Sequence, residues 1–289
     1  MTEDILSILQ TRLHTFSKGQ RAIAALILDS YDKTAFMTAG KIAKLANVSE
    51  STVVRFAVEL GYDGFPSMQK AMQEMVLNRL TSVQRIEVAN DRIGDQDVLS
   101  MVLHSDMEKL RKTSDSVDRD SFQAAVKTLL QARRIYVMGV RSAAALANFL
   151  GYYLGYMFDN VHVITTSGTG EMFEKLAGVG PGDAVVAFSF PRYSTATLKG
   201  ARFCHSVGAK VIGITNSPLS PLAESCDQVL VAKSDMVSLV DSLVAPLSVV
   251  NALVVALAAQ KEETLAKTFD TLERVWEEYN VYEKRIERL

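Results

Sequence analysis

The sequence predicts an all-α domain followed by an α/β domain, on three observations. Between Thr38 and Leu60 apolar residues recur at helical spacing around a short break. From Arg133 onward apolar strands alternate with helices. The polar stretch 81–97, TSVQRIEVANDRIGDQD, contains Gly94 and separates the two textures as a linker does. A length of 289 residues suits two ordinary domains or one large one, and 48% hydrophobic residues are ample for their cores. The expected boundaries are 1–80 for the helical domain, 81–120 for a linker and connecting helix, and 121–289 for the α/β domain.

Residues 4 to 14 and 18 to 29 read as helices, the second capped by Ser17, with Ile23, Ala24, Ile27 and Leu28 facing inward. Lys18 and Arg21 sit in its first turn, where the helix dipole disfavours cations unless an anion lies nearby. Phosphate contact and plain solvation are both open readings there. Thr38 then caps a short helix on which Ile42, Ala43, Leu45 and Ala46 repeat at helical spacing. Ala46-Asn47-Val48 makes a tight turn, since Asn tolerates the left-handed conformation. Ser49 caps a further helix whose apolar positions Val53, Phe56, Ala57 and Leu60 fall at i, i+3, i+4 and i+7. Its opposite face carries Ser51, Thr52, Arg55 and Glu59.

Two helices joined this way form a helix-turn-helix, which lays its second helix in the DNA major groove and reads base edges from near that helix's N-terminus. Ser49, Ser51, Thr52 and Arg55 are the expected readers, with Lys18 and Arg21 on phosphates. An ordinary helical hairpin with a solvated face has the same periodicity. The string Ile42 to Gln69 adds more specific elements: I-A-x-L-A, V-S-x-x-T-V-V-R-F, and L-G-Y-x-G-F at Leu60, Gly61, Tyr62, Gly64 and Phe65. On these residues the first eighty positions closely resemble the N-terminal DNA-binding domain of the RpiR family of bacterial transcription regulators. After Pro66 a helix from Met68 to Leu80 is expected to close the domain.

Composition bounds the rest. The formal net charge is −2, and residues 1 to 80 hold nine Lys or Arg against eight Asp or Glu, or +1. Affinity for DNA rests mainly on neutralised phosphates, so DNA contact here must come from local placement of cations and from a second copy doubling the footprint. Cys204 and Cys226 have no C-x-x-C spacing, which leaves metal binding and a disulfide framework unsupported and suits a reducing compartment. Met1 is followed at once by acidic residues, so no secretory leader is expected. The longest apolar run, 243–259, is interrupted by Pro246, Ser248 and Asn251, which favours a buried helix over a membrane span. A cytoplasmic protein without membrane association is expected.

Helices from Val98 to Lys112 and Ser121 to Gln131 lead to strands at 133–138, 161–165, 184–190, 210–216 and 228–233, with helices at about 142–157, 170–177, 194–207 and 219–225. Strands alternating with helices in this way predict a five-stranded parallel, doubly wound sheet, and a flavodoxin-like order 2-1-3-4-5 would open a crevice between the carboxyl ends of strands one and three. The loops meeting there are 139–144, GVRSAA, and 189–197, SFPRYSTAT. Both open helices and both carry an arginine and hydroxyls, which suits an anion. No G-x-G-x-x-G, P-loop or G-x-S-x-G occurs, so no nucleotide cofactor or nucleophile elbow is expected.

The stretch Arg133 to about Lys233 resembles the SIS (sugar isomerase) domain, found in phosphosugar isomerases and as the effector module of RpiR-type regulators. Its members usually carry G-x-G-x-S after strand one and S-x-S-x-x-T after strand three, the latter holding the sugar phosphate. Here Gly139 and Ser142 keep part of the first loop, Arg141 replaces its second glycine and Ala143 its serine. Ser189 matches the leading serine of the second loop and Ser194 its threonine, while Phe190, Pro191, Arg192 and Tyr193 depart. The resemblance implies a ligand site at Gly139, Arg141, Ser142, Ser189, Arg192, Ser194 and Thr195. Arg141 and Arg192 would replace hydroxyl donors with guanidinium forks, or else pair with acidic neighbours such as Glu171. Thr165 to Thr169 and Lys199 are weaker candidates for the same mouth.

Leu265, Phe269, Leu272, Trp276 and Tyr279 step by 4, 3, 4 and 3, a stripe for a homo-oligomeric seam, in a dimer or tetramer, or for packing on the chain's own sheet. The expected function is a transcriptional regulator of operator DNA controlled by a phosphosugar or sugar acid, with no catalytic residues, metal or cofactor. The rival is a phosphosugar isomerase with a helical extension, for which Glu171 and His162 are the sole candidate bases in the crevice.

Overall fold

A computed structural model describes residues 5–79, 86, 97–236 and 240–283. The expected linker 81–97, apart from Ile86 and Asp97, and the helix end at Leu80 lie outside them. The chain divides into two compact units, Met1–Arg92 and Ile93–Leu289.

The first unit is helical: α1 (Ile5–Arg12), α2 (Lys18–Asp29), α3 (Tyr31–Thr34), α4 (Ala39–Leu45), α5 (Glu50–Glu59) and α6 (Phe65–Arg79). The three caps expected from the sequence are present. Ser17 and Gln20 form a reciprocal capping box on α2, Thr38 accepts from Lys41 N, and Ser49 accepts from Thr52 N. The core gathers Leu9, Ile23, Ile27, Ile42, Val53, Phe56, Met68 and Met72, all fully buried, and Phe16 meets Phe56 edge to face at 5.1 Å. Leu45 departs from the sequence expectation: it ends α4 on the outer side and is 54% exposed.

The second unit opens with α7 (Val98–Ser116) and α8 (Arg119–Gln131) and then alternates: β1 (Ile135–Met138), α9 (Ala144–Leu154), β2 (Val161–Ile164), α10 (Thr169–Leu176), β3 (Ala184–Phe188), α11 (Thr195–Ser206), β4 (Lys210–Thr215), β5 (Gln228–Val231), α12 (Val244–Gln260) and α13 (Glu262–Glu278). All five strands are parallel in the order β2-β1-β3-β4-β5, as the reading of the sequence expected. Between β4 and β5 the expected helix is reduced to a single 3-10 turn at Ala223–Ser225. One face of the sheet packs on α8, α9 and α12 through Leu129, Leu150 and Leu253, the other on α10 and α11 through Met172 and Cys204. Gly151 lets α9 press on the edge strand: a Cβ there would overlap Val163 Cγ2. Below the sheet's amino ends, buried Asp183 accepts from the forks of Arg133 and Arg134 and from Gly180 N. No single helix among the described residues is long and apolar enough to cross a membrane.

Candidate functional site

Two surfaces carry the predicted chemistry, one in each unit. On the first, Asn47 holds the turn between α4 and α5 at φ 53°, which frees Ser49 to cap α5. Val53, Phe56 and Ala57 turn inward, while Ser51 and Arg55 are exposed and Thr52 is half-buried. Ser49 Oγ lies 2.8 Å from both Ser51 Oγ and Thr52 Oγ1, so the three hydroxyls form one local cluster; Arg55 Nε donates to Ser51 O at 3.3 Å. The first turn of α2 lies beside this cluster, since a Cβ added to Gly19 would sit 3.3 Å from Val48 Cγ1 and 3.7 Å from Thr52 Cγ2. Lys18 and Arg21, both exposed, line a surface hollow of about 380 Å³ on that helix. Arg21 also donates to Phe16 O at 3.2 Å. Ser49, Ser51, Thr52, Lys18 and Arg21 thus belong to the starts of two neighbouring helices, and Arg55 lies one turn further along α5.

On the second unit, β1 and β3 pair with Met138 opposite Ala187, so Gly139 and Ser189 leave the sheet at one edge. A Cβ on Gly139 would lie 2.7 Å from Ala143 O, so only glycine allows the chain to fold back this tightly. Arg141 follows at φ 58° and opens the 3-10 turn Arg141–Ala143 that feeds α9; Arg192 stands at φ 63° in the opposite loop. Both are left-handed positions held by a residue with a Cβ. Arg141, Ser142, Arg192 and Thr195 are exposed, and Ser194 caps α11 by accepting from Thr197 N at 3.5 Å. The start of α9 has no side-chain cap. Ser189 Oγ and Thr197 Oγ1 are buried and have no hydrogen-bond partner. A buried hydroxyl left so is costly, and both lie on the β3–α11 loop or the first turn after it. Thr197 was not singled out by the sequence; a hydroxyl two residues inside the helix start was the available signal.

The rival candidates are occupied elsewhere. Glu171 pairs with Lys175 at 2.8 Å and accepts from Thr166 Oγ1 at 2.5 Å, and these two partners hold its carboxyl below the ordinary value. Thr166 also accepts from Gly168 N, in the turn just before α10. His162 stacks on Tyr136 at 4.9 Å, two residues short of the carboxyl edge. His205 lies 3.6 Å from Asp227. Burial pushes both thiols, Cys204 and Cys226, up to about 12. Among the described residues no cluster of three His, Cys, Asp or Glu side chains suits a metal.

The profile of the rpiR-family helix-turn-helix domain matches residues 3–78, and that of the SIS domain residues 128–256. The chain belongs to the RpiR family. Its relatives include an HTH-type transcriptional regulator of Haemophilus influenzae, 27% identical over 91% of this chain and 92% of that protein. HexR of Escherichia coli K12, also an HTH-type transcriptional regulator, is 26% identical over 95% of this chain and 93% of its own length. The sugar isomerase domain of an RpiR transcription factor from Sphaerobacter thermophilus superposes with a TM-score of 0.60 at 28% identity, covering 62% of this chain and 99% of that one. NanR of Vibrio vulnificus, solved in complex with ManNAc-6P, shares the fold with a TM-score of 0.58 at 24% identity, over 94% of this chain and 97% of that one. This RpiR-family chain is therefore a transcriptional regulator with a helix-turn-helix and a SIS domain, and DNA is the partner its first unit implies.

Proposed function

We propose that the affinity of this regulator for its operator is set by an anionic sugar metabolite, a phosphosugar or sugar acid, held between the loops after β1 and β3. The observation that carries this reading is the pair of buried, unpartnered hydroxyls of Ser189 and Thr197 at the two ends of the loop that holds Arg192 in a left-handed conformation, with Arg141 in the same conformation on the loop after β1. An anion with its own acceptor oxygens satisfies the hydroxyls and meets the guanidinium groups at once. That NanR was solved with a phosphosugar supports the ligand class. On the DNA side, Ser51, Thr52 and Arg55 read bases while Ser49 organises them, and Lys18 and Arg21 take phosphates.

A homo-oligomer completes the reading. Two-fold operators need paired reading helices about 34 Å apart, which one chain cannot supply. The helix α13 buries none of its residues and keeps the predicted apolar stripe, which suits a seam between copies. Effector binding then shifts the pair of reading helices, and a coupling of about 1–3 kcal/mol changes operator affinity roughly 5- to 150-fold. The protein acts by binding rather than by turnover: Glu171 is a weakened base and His162 stands back from the crevice.

A thermal-shift screen of hexose 6-phosphates, pentose 5-phosphates and aldonic acids tests this reading when repeated on Arg192→Ala. A ligand that stabilises the wild type and not the variant is the expected result. Turnover of any of these sugars at ordinary enzymatic rates overturns it.

A further inference from the structure

The helix α7 is 19 residues long, yet its buried residues are two polar ones, Lys109 and Thr113. They are one turn apart and share a face. Thr113 Oγ1 accepts from the backbone N–H of Lys233, just past β5, at 2.9 Å. Lys109 Nζ donates to Ser105 Oγ at 2.7 Å and to Asp106 Oδ1 at 3.3 Å, and Asp106 in turn accepts from Ser242 Oγ at 2.7 Å. So α7 is fastened at two points to the chain between β5 and α12. From Lys233 the bonds continue inward: its Nζ donates to Asn216 O at 3.5 Å, and Asn216 Oδ1 accepts from Tyr193 OH at 2.8 Å. Asn216, at the end of β4, is 8% exposed. Tyr193 stands between Arg192 and Ser194, inside the loop that carries the proposed effector site.

Part-buried polar links of this kind add little net stability over apolar packing, but linked hydrogen bonds polarise one another, so a change at one member is felt by the next. In addition, α7 is the first element of the second unit and follows residues 80–96, the only covalent route to the helix-turn-helix. We propose that Tyr193, Asn216, Lys233 and Thr113 form a relay through which the state of the β3–α11 loop sets how α7 is held. The proposal rests on the effector reading above, and names the residues by which an occupied crevice is felt at the start of its domain.

Coupling is reciprocal, so each end of the relay must report on the other. The test is amide hydrogen exchange, read by mass spectrometry on the full chain, for Tyr193→Phe, Thr113→Val and Thr113→Ser. One lost hydrogen bond corresponds to roughly a 2- to 10-fold change in a local opening equilibrium. Tyr193→Phe is expected to raise exchange by that factor in peptides covering 105–117, and Thr113→Val in those covering 190–197. Thr113→Ser, which keeps the acceptor, restores wild-type exchange. Faster exchange confined to the substituted segment in either variant overturns the relay. The readout needs neither effector nor DNA, so a failed ligand screen leaves it standing, and its own failure leaves the screen's answer intact.

Discussion

At residue scale the left-handed arginines are the sharpest departure from ordinary backbone behaviour. A side chain at φ near 60° loses about 1–2 kcal/mol relative to glycine, whereas glycine gains about 0.4–1 kcal/mol of unfolded-state entropy. Arg141→Gly is therefore expected to leave the melting temperature unchanged or slightly raised, while the stabilisation by an anionic sugar disappears. Differential scanning fluorimetry with and without ligand reads both effects. Asp183 offers a second test. Burial alone would raise its carboxyl, but the Arg133 and Arg134 forks and Gly180 N–H outweigh that and hold it below the ordinary value. A lowered folded-state value means its contribution is complete above the unfolded value near 4 and fades as pH falls through the lower one. Asp183→Asn should destabilise the second unit by about 3 kcal/mol at pH 7, and should shrink the loss of stability as pH falls below about 4. Urea titrations across that range decide it.

At the scale of elements, α5 separates two roles that its sequence places side by side. Ser49→Ala removes a cap and is expected to lower the stability of the first unit by about 1 kcal/mol. Arg55→Ala should leave stability intact and weaken operator binding, with Lys18→Ala reducing the salt slope by about 1 for each lost phosphate contact. Circular dichroism melts and fluorescence anisotropy at several salt concentrations separate the two. The caps at Ser17, Thr38 and Ser49, the Asn47 turn and all five strands were readable in the sequence because each is a local signal, a short polar side chain before an apolar period or a short apolar run rich in Val and Ile. The unpartnered Thr197 hydroxyl and the Tyr193–Asn216–Lys233–Thr113 bonds were not, since they join residues up to 120 positions apart and depend on which strand ends become neighbours. The helix expected before β5 is a single 3-10 turn, which the apolar and polar order of 219–225 does not distinguish from a short helix.

For the whole molecule, α13 is the element that the proposed seam between copies depends on, since none of its residues is buried. Although Phe269 meets Tyr156 at 5.2 Å, Leu272 and Trp276 are only half-buried. Leu272→Ser with Trp276→Ser is expected to shift the protein toward monomer in sedimentation velocity at micromolar concentration without lowering its helix content; an unchanged oligomer removes α13 from the seam. The sheet has a further consequence at this scale. Its two outermost strands, β2 and β5, run for four residues each, as does the interior β1, against five for the central β3 and six for β4. Open backbone along a sheet's rim is a template on which another chain can extend the ladder, and brevity is one way to blunt it. Rims this short give other copies of the chain little open backbone on which to extend the sheet.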